Sequence, residues 1–255
     1  MEYRDLVKKH YREEAKKSRL SLGSTMADLN IRRLEIENIA SYLKNGERCL
    51  EVGCGNGRAS IEVSKIRKLD LTCIDFSSEM IALAKKQPTK GIKGEIRFQK
   101  GDVLELKVRN YFNSIFTERC IINLLTRNDQ KKALKNIVTA LKKGGKLILL
   151  EAFSDGLKEL NDARQEVGLV PISPAYHNLH LNKDLVIKYL NKQGLVFVVE
   201  KNFLSSYYFG SRILYPALAR ANKVKIKYNS SFVKYFSFLS EHGNYSHIKI
   251  LLFKK

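Results

Sequence analysis

The sequence predicts an α/β fold, an open Rossmann-like sheet, largely parallel and flanked by helices. Three observations carry that prediction. Residues 49–57, Cys-Leu-Glu-Val-Gly-Cys-Gly-Asn-Gly, join an apolar run to alternate glycines. Two further strand-like stretches, near 70–75 and 96–102, each close on an acidic residue. Segments of helical periodicity alternate with apolar runs as far as Phe153, the pattern of βαβ units rather than of hairpins.

The first stretch is the most informative. Cys49, Leu50 and Val52 read as a buried parallel strand. Gly53, Gly55 and Gly57 follow, and helix-compatible residues begin at Arg58. Glycine lets the backbone turn tightly and admits a ligand with no Cβ in the way. The helix behind offers unpaired N–H groups in its first turn. The spacing is G-x-G-x-G, and Arg58 stands where a dinucleotide fingerprint needs its third glycine.

The second strand ends at Asp75, 24 residues after Glu51, near the ~20-residue interval of a ribose-binding carboxylate in a βαβ unit. A carboxylate can accept two hydrogen bonds from a cis-diol. Phe76, and Met80 one helical turn later, stand where an adenine would pack. A third strand, 96–100, runs into Gly101, Asp102 and Val103. Three acids at the carboxyl ends of successive strands match the crevice rule for open α/β sheets.

With Glu51 two places before the first glycine, residues 49–57 resemble motif I of the class I S-adenosylmethionine (SAM) methyltransferases. The resemblance implies SAM as cofactor. It implies that the glycine turn lies against the methionine part, Glu51 near the ammonium end, Asp75 on the ribose and Asp102 at the adenine amino group. Cys54 and Gly57 in the turn, Val103 after Asp102, and Thr117 on strand four complete the expected cofactor set. It also implies a seven-stranded sheet over roughly residues 45–255. Strands are expected near 48–52, 70–74, 96–100, 113–117, 146–152, 195–200 and 248–253, the last two as an antiparallel edge hairpin. A helix over 128–141 places Leu134, Ile137, Val138 and Leu141 on one face. Lys142-Lys-Gly-Gly145 reads as its stop.

Two additions flank the expected SAM-binding domain at 45–255. Residues 1–44 form an N-terminal helical extension or cap: a charged helix, then Ser24-Thr-Met, then a helix capped by Asp28 that carries Ile31, Leu34, Ile36 and Ile39. A helical, aromatic insert between strands six and seven, about 203–245, reads either as a lid over the acceptor or as a cover for the sheet edge. Tyr207 and Tyr208 within it are candidate acceptor-pocket residues, with ordinary packing as the alternative.

Composition excludes several classes. Cys49, Cys54, Cys73 and Cys120 include no C-x-x-C pair, which points to reduced thiols, no metal site and a cytoplasmic location. No apolar run reaches the ~18 residues of a transmembrane helix. The net charge is +20, and residues 201–255 hold ten bases against Glu241 alone. Such a stretch fits an anionic partner, whether nucleic acid, a phosphorylated sugar carrier or an acidic membrane face, or simply a solvated lysine-rich surface.

The methyl of a sulfonium is already electrophilic, so the protein must chiefly align a nucleophile with it; a hydroxyl acceptor also needs a base. Residues after strand four should address the acceptor, which nominates Glu118 as base and Arg119 as anchor, with a structural ion pair as the alternative. The Pro-Pro-aromatic box of nucleic-acid amino-methyltransferases is absent there. Arg119 precedes Cys120, so the Pro-Cys dipeptide of RNA cytosine-5 enzymes is absent too. His177, in the proline-bounded stretch 171–180, is a second candidate base. Residues 117–124 and 176–179, with Ser24-Thr-Met, Asp28 and Arg32, resemble prokaryotic class I enzymes of the small-molecule or glycan type. Asn113 replaces the acid frequent on strand four of that superfamily. The expected function is SAM-dependent methyl transfer to an oxygen or nitrogen of a small molecule or saccharide precursor. An RNA-directed methyltransferase and a non-catalytic SAM-binding subunit are the alternatives.

Overall fold

The computed structural model describes residues 3–18 and 27–255; Ser24, Thr25 and Met26 lie outside them. Five apolar runs become the parallel strands β1 (Arg48–Val52), β2 (Asp70–Asp75), β3 (Glu95–Lys100), β4 (Phe112–Glu118) and β5 (Leu141–Ala152). β6 (Val196–Lys201) and β7 (Ile248–Lys254) follow, with β7 antiparallel to both β5 and β6. Among the described residues the seven strands form one sheet in the order β3-β2-β1-β4-β5-β7-β6. The chain therefore reverses its direction of winding between β1 and β4, where open α/β sheets leave a crevice at the strands' carboxyl ends.

Burial explains why the central strands read as near-continuous apolar runs, while the edge strands β3 and β6 are largely exposed. Leu147, Ile148, Leu149 and Leu150 are all inaccessible, as expected of a strand covered on both faces. Around the sheet lie α1 (Tyr3–Ser18), α2 (Leu29–Tyr42), α3 (Arg58–Ile66), α4 (Ser78–Ala84), α5 (Arg127–Ala140), α6 (Ser154–Glu166) and α7 (Lys183–Lys192). Between β6 and β7 come α8 (Ser205–Tyr208), a π-helical segment (Phe209–Leu214), α9 (Tyr215–Ala221) and α10 (Ser231–Phe236).

Asp28 caps α2 through Oδ1, which accepts from the amides of Asn30 (3.1 Å) and Ile31 (3.3 Å). That helix buries Ile31, Ile36 and Ile39, but also Arg32 and Glu35. One expectation is corrected: Lys142-Lys-Gly-Gly145 does not end α5, which stops at Ala140, but belongs to β5. The cause is a pairing that lies far off in sequence. The Gly144 amide donates to the Lys255 carbonyl (2.7 Å) and the Lys255 amide to that of Gly145 (2.8 Å). Gly144 adopts φ +76° to make that turn. All four cysteines are free thiols; three are buried and Cys120 is half-buried. Among the described residues no helix is long and apolar enough to cross a membrane.

Candidate functional site

At the carboxyl ends of β1, β2 and β3 the chain encloses a cavity of about 500 Å³. The glycine turn after β1 forms its floor. Gly53, Gly55 and Gly57 all have positive φ (80°, 53° and 74°), and a Cβ at Gly53 would collide with the side chain of Cys120. The amides of Gly53 and Cys54 donate to the Ile74 carbonyl at 2.8 and 3.0 Å, which binds the turn to the end of β2. Asp75 completes the tie, with Oδ2 accepting from the Gly55 amide and Oδ1 from the Ser77 amide, both at 2.9 Å.

Glu51, Gly53, Cys54, Gly55, Asp75, Phe76, Gly101, Asp102 and Val103 line this cavity. Glu51 is inaccessible to solvent, and burial raises its carboxyl to a pKa of about 8. Its Oε2 has no hydrogen-bond partner. Asp102 Oδ1 accepts from the Leu104 amide (2.9 Å), while Oδ2 pairs with Arg4 of α1.

Three residues expected to touch a cofactor lie off the cavity wall. Gly57 caps α3, and a Cβ there would meet Phe98 at 2.7 Å and Ala84 at 2.8 Å, so its glycine serves helix packing. Met80 is fully buried on α4, in the core beneath the site. Thr117 is equally buried, within the sheet. Tyr207 and Tyr208 also lie off this wall. Tyr207 donates to the Asp28 carboxylate (2.7 Å), and the Tyr208 ring packs edge-on to His247, centroids 5.3 Å apart.

Glu118, Arg119 and His177 all face the cavity. Glu118 is clamped between two guanidiniums, Arg32 on one side and Arg119 Nη2 at 3.0 Å on the other. Burial alone would raise its carboxyl; Arg32 and then Arg119 outweigh burial and hold it below the usual range. Arg119 Nε also faces Glu35 Oε1 at 2.9 Å. Arg119 adopts φ +53°, left-handed for a side-chain-bearing residue. Hydrogen bonds on both sides hold it there: its amide donates to the Leu150 carbonyl (2.8 Å) and its carbonyl accepts from Asn123 Nδ2 (2.7 Å). Buried Glu151 fixes the next turn, accepting from the amides of Cys120 and Ile121 at 3.0 Å and Ile122 at 3.2 Å. Burial and the carboxylates of Glu151, Asp75 and Asp102 push the Cys120 thiol well up, which argues against a thiolate nucleophile.

The roof is α1, which sequence reasoning did not bring to the site. Tyr11 donates to Asn123 Oδ1 (3.1 Å), and its ring meets Phe76 edge-on with centroids 6.0 Å apart. His10 stacks on His177, ring centroids 3.8 Å apart. Burial, reinforced by His10, lowers His177 to a pKa of about 4. Tyr3 bonds to Asp129, at the start of α5. The available signal was the clustering of Tyr3, Arg4, His10 and Tyr11 on a predicted helix; their polar partners Asp129, Asp102 and Asn123, and His177 under His10, come from distant parts of the chain.

Comparison with known proteins agrees with this geometry. Residues 49–145 match a family model described as a methyltransferase domain. Over 112 residues the chain is 27% identical to the O-methyltransferase rstn1 of Aspergillus nomiae, covering 43% of this chain and 48% of that protein. Over 132 residues it is 31% identical to the demethylmenaquinone methyltransferase of Renibacterium salmoninarum, covering 52% and 50%. The chain thus spans about half the length of the curated relatives it matches. Among solved structures, magnesium protoporphyrin IX methyltransferase from Synechocystis superposes with a TM-score of 0.61 at 13% identity, covering 99% of both chains. Glycine turn, strand-end acids and sheet order agree with that match: the chain has the fold of the SAM-dependent methyltransferases, and its residues 49–145 match a methyltransferase domain.

Proposed function

We propose that the protein transfers a methyl group from SAM, by in-line displacement, to an oxygen or nitrogen of a small molecule or saccharide precursor. The observation that carries this reading is the convergence of Glu51, Asp75 and Asp102, from three adjacent strands, on one cavity. The residues suit the cofactor. The unpartnered, buried Glu51 Oε2 is an acceptor that an ammonium group satisfies. Asp75 keeps lone pairs for a diol after receiving two amides. Asp102, at the far strand end, suits an adenine amino group.

When bound, SAM supplies a methyl group activated by its sulfonium. The chain's own residues then align and deprotonate the acceptor. Tyr11 and Phe76 meet edge-on in the cavity wall, and holding an acceptor in line with the methyl contributes up to ~7–11 kcal/mol in favourable cases. Glu118, held ionised by Arg32 and Arg119, is a poor proton acceptor; with Arg119 it forms a polar anchor for the acceptor. His177 remains as the base, neutral at pH 7, with Nδ1 unpartnered. So weak a base suits an acidic, phenol-like hydroxyl. The names of the two curated relatives support a small-molecule acceptor, and the demethylmenaquinone enzyme directs an acceptor screen towards aromatic, quinone-type compounds as well.

Calorimetric titration with SAM and S-adenosylhomocysteine tests the cofactor half. Micromolar binding lost in Asp75→Ala supports it, and no binding by folded wild type sinks it. Methyl transfer to a screened acceptor tests the rest. His177→Asn should lower kcat by ~10²–10⁴-fold with SAM affinity unchanged.

A further inference from the structure

The segment between β6 and β7 carries a surface that methyl transfer leaves unused. Residues 202–240 hold six Lys or Arg and no Asp or Glu. Arg212 turns inward to Asp28 (2.7 Å), whereas Arg220, Lys223, Lys225, Lys227 and Lys234 are exposed. The acids near this segment are paired, Glu241 with Lys201, Glu200 with Lys183 and Lys249, and Glu37 with Arg33.

Apolar side chains stand among these cations. Tyr235 is 63% and Phe238 67% exposed, and Phe232, Leu239, Leu218 and Val224 are also open to solvent. Phe232 and Tyr235 stand one turn apart on α10, while Val233 is wholly buried. The rings of Tyr215 and Phe232, with centroids 5.2 Å apart, join α9 to α10. The Arg33 guanidinium and the Lys234 ammonium sit over the Phe238 ring, at 5.3 and 6.0 Å. Exposed aromatic and aliphatic groups interleaved along the segment with lysines, and with no acid in residues 202–240, match the chemistry of an interface between acyl chains and anionic headgroups. Lysine stems can lie along apolar surface while their ammonium groups reach phosphate.

We propose that this face docks the protein on a bilayer surface containing anionic lipid. A nucleic acid would neutralise the lysines but leave Leu218, Val224 and Leu239 with nothing to bury against. The Arg220 guanidinium, the group suited to stacking on bases, is bonded to the Gly168 carbonyl. The surface adjoins the cavity: Asn229 Nδ2 donates to the Ala27 carbonyl and its Oδ1 accepts from the Leu29 amide, both at 3.0 Å, and Ala27 lines the cavity. If the methyl-transfer reading holds, on which this step rests, docking brings a lipid-borne acceptor to that edge.

Co-sedimentation of the full chain with vesicles is the test, using phosphatidylcholine alone and phosphatidylcholine mixed with phosphatidylglycerol. The chain should sediment with the anionic vesicles only and be released by high salt. Phe238→Ser with Leu239→Ser, and separately Lys223→Glu, Lys225→Glu and Lys227→Glu together, should each reduce partitioning at least ~tenfold. Both variants should bind SAM as wild type does, which reports an intact fold. Three results overturn docking: wild type that binds SAM yet stays in the supernatant, a serine pair that partitions like wild type, or an oligoribonucleotide that displaces the protein from vesicles. Vesicle binding without SAM binding would instead overturn the methyl-transfer reading and leave docking standing.

Discussion

Glu51 is the residue whose environment most clearly anticipates a ligand. Burial raises its carboxyl from 4.5 to about 8, so the folded state favours the neutral form. Its contribution to stability is complete below pH ~4.5 and is lost as pH rises through about 8. A cation bound against Glu51 reverses that preference, so a proton should leave as SAM binds. SAM affinity should therefore climb with pH, by up to about tenfold per unit between pH ~6.5 and ~7.5, below the range where an α-amino group itself deprotonates. Titration at both pH values, in buffers of different ionisation enthalpy, checks this; Glu51→Gln should remove both the slope and the released proton. Asp75 acts differently. Its carboxylate holds two amides, so Asp75→Ala loosens the glycine turn as well as removing the diol acceptor, and should weaken SAM by ~2–3 kcal/mol. Both acids could be read from sequence because a strand end fixes where a side chain points. Met80 could not be, since helical spacing from Phe76 leaves open which side of α4 faces the core, and here Met80 is inaccessible.

Among the elements, the antiparallel β6–β7 edge was legible in the sequence, whereas the contacts of α1 and the charge buried on β7 were not. α1 reads as a charged surface helix, yet Arg4 pairs with Asp102, Tyr3 with Asp129 and Tyr11 with Asn123. A helix that roofs a cavity and holds one of its carboxylates should govern ligand escape. Removing residues 1–18 should speed SAM release and weaken binding roughly tenfold or more, read by stopped-flow fluorescence, with little loss of thermal stability because the sheet and its core are untouched. An unchanged release rate would show that α1 is not the gate. At the other edge, Lys249 of β7 is wholly inaccessible, its ammonium 2.6 Å from Asp155 and 2.9 Å from Glu200. Three elements, α6, β6 and β7, thus meet at one charge. Lys249→Met leaves Asp155 and Glu200 with Lys183 as their remaining cation, 3.7 and 3.0 Å away, and should cost about 1–3 kcal/mol in chemical denaturation, with the cofactor site unaffected. From sequence, Lys249 was one more base in a basic stretch, because the acids that hold it come from elements placed beside β7 only by the sheet's pairing order.

For the molecule as a whole, the strands were legible, the antiparallel β6–β7 edge included, and the cover over the cavity was not. Motif, strand and helix follow one another locally in each βαβ unit, so residues 48–118 could be read directly. The extension of β5 back to Leu141 and the roof over the cavity depend on contacts between distant segments. The cavity gathers β1, β2 and β3, the loop after β4, and α1, so a ligand there joins segments that otherwise open separately. A ligand that binds only the folded state stabilises it by ~2.7 kcal/mol at a hundredfold excess over Kd. For a chain of this size that raises Tm by roughly 5–10 °C. S-adenosylhomocysteine should produce that rise in wild type and little or none in Asp75→Ala. Nucleotides such as NAD should leave Tm unchanged, because Arg58 occupies the position where a dinucleotide turn needs glycine. A shift with NAD and none with S-adenosylhomocysteine would mean that the three strand-end carboxylates serve a different ribose-bearing ligand.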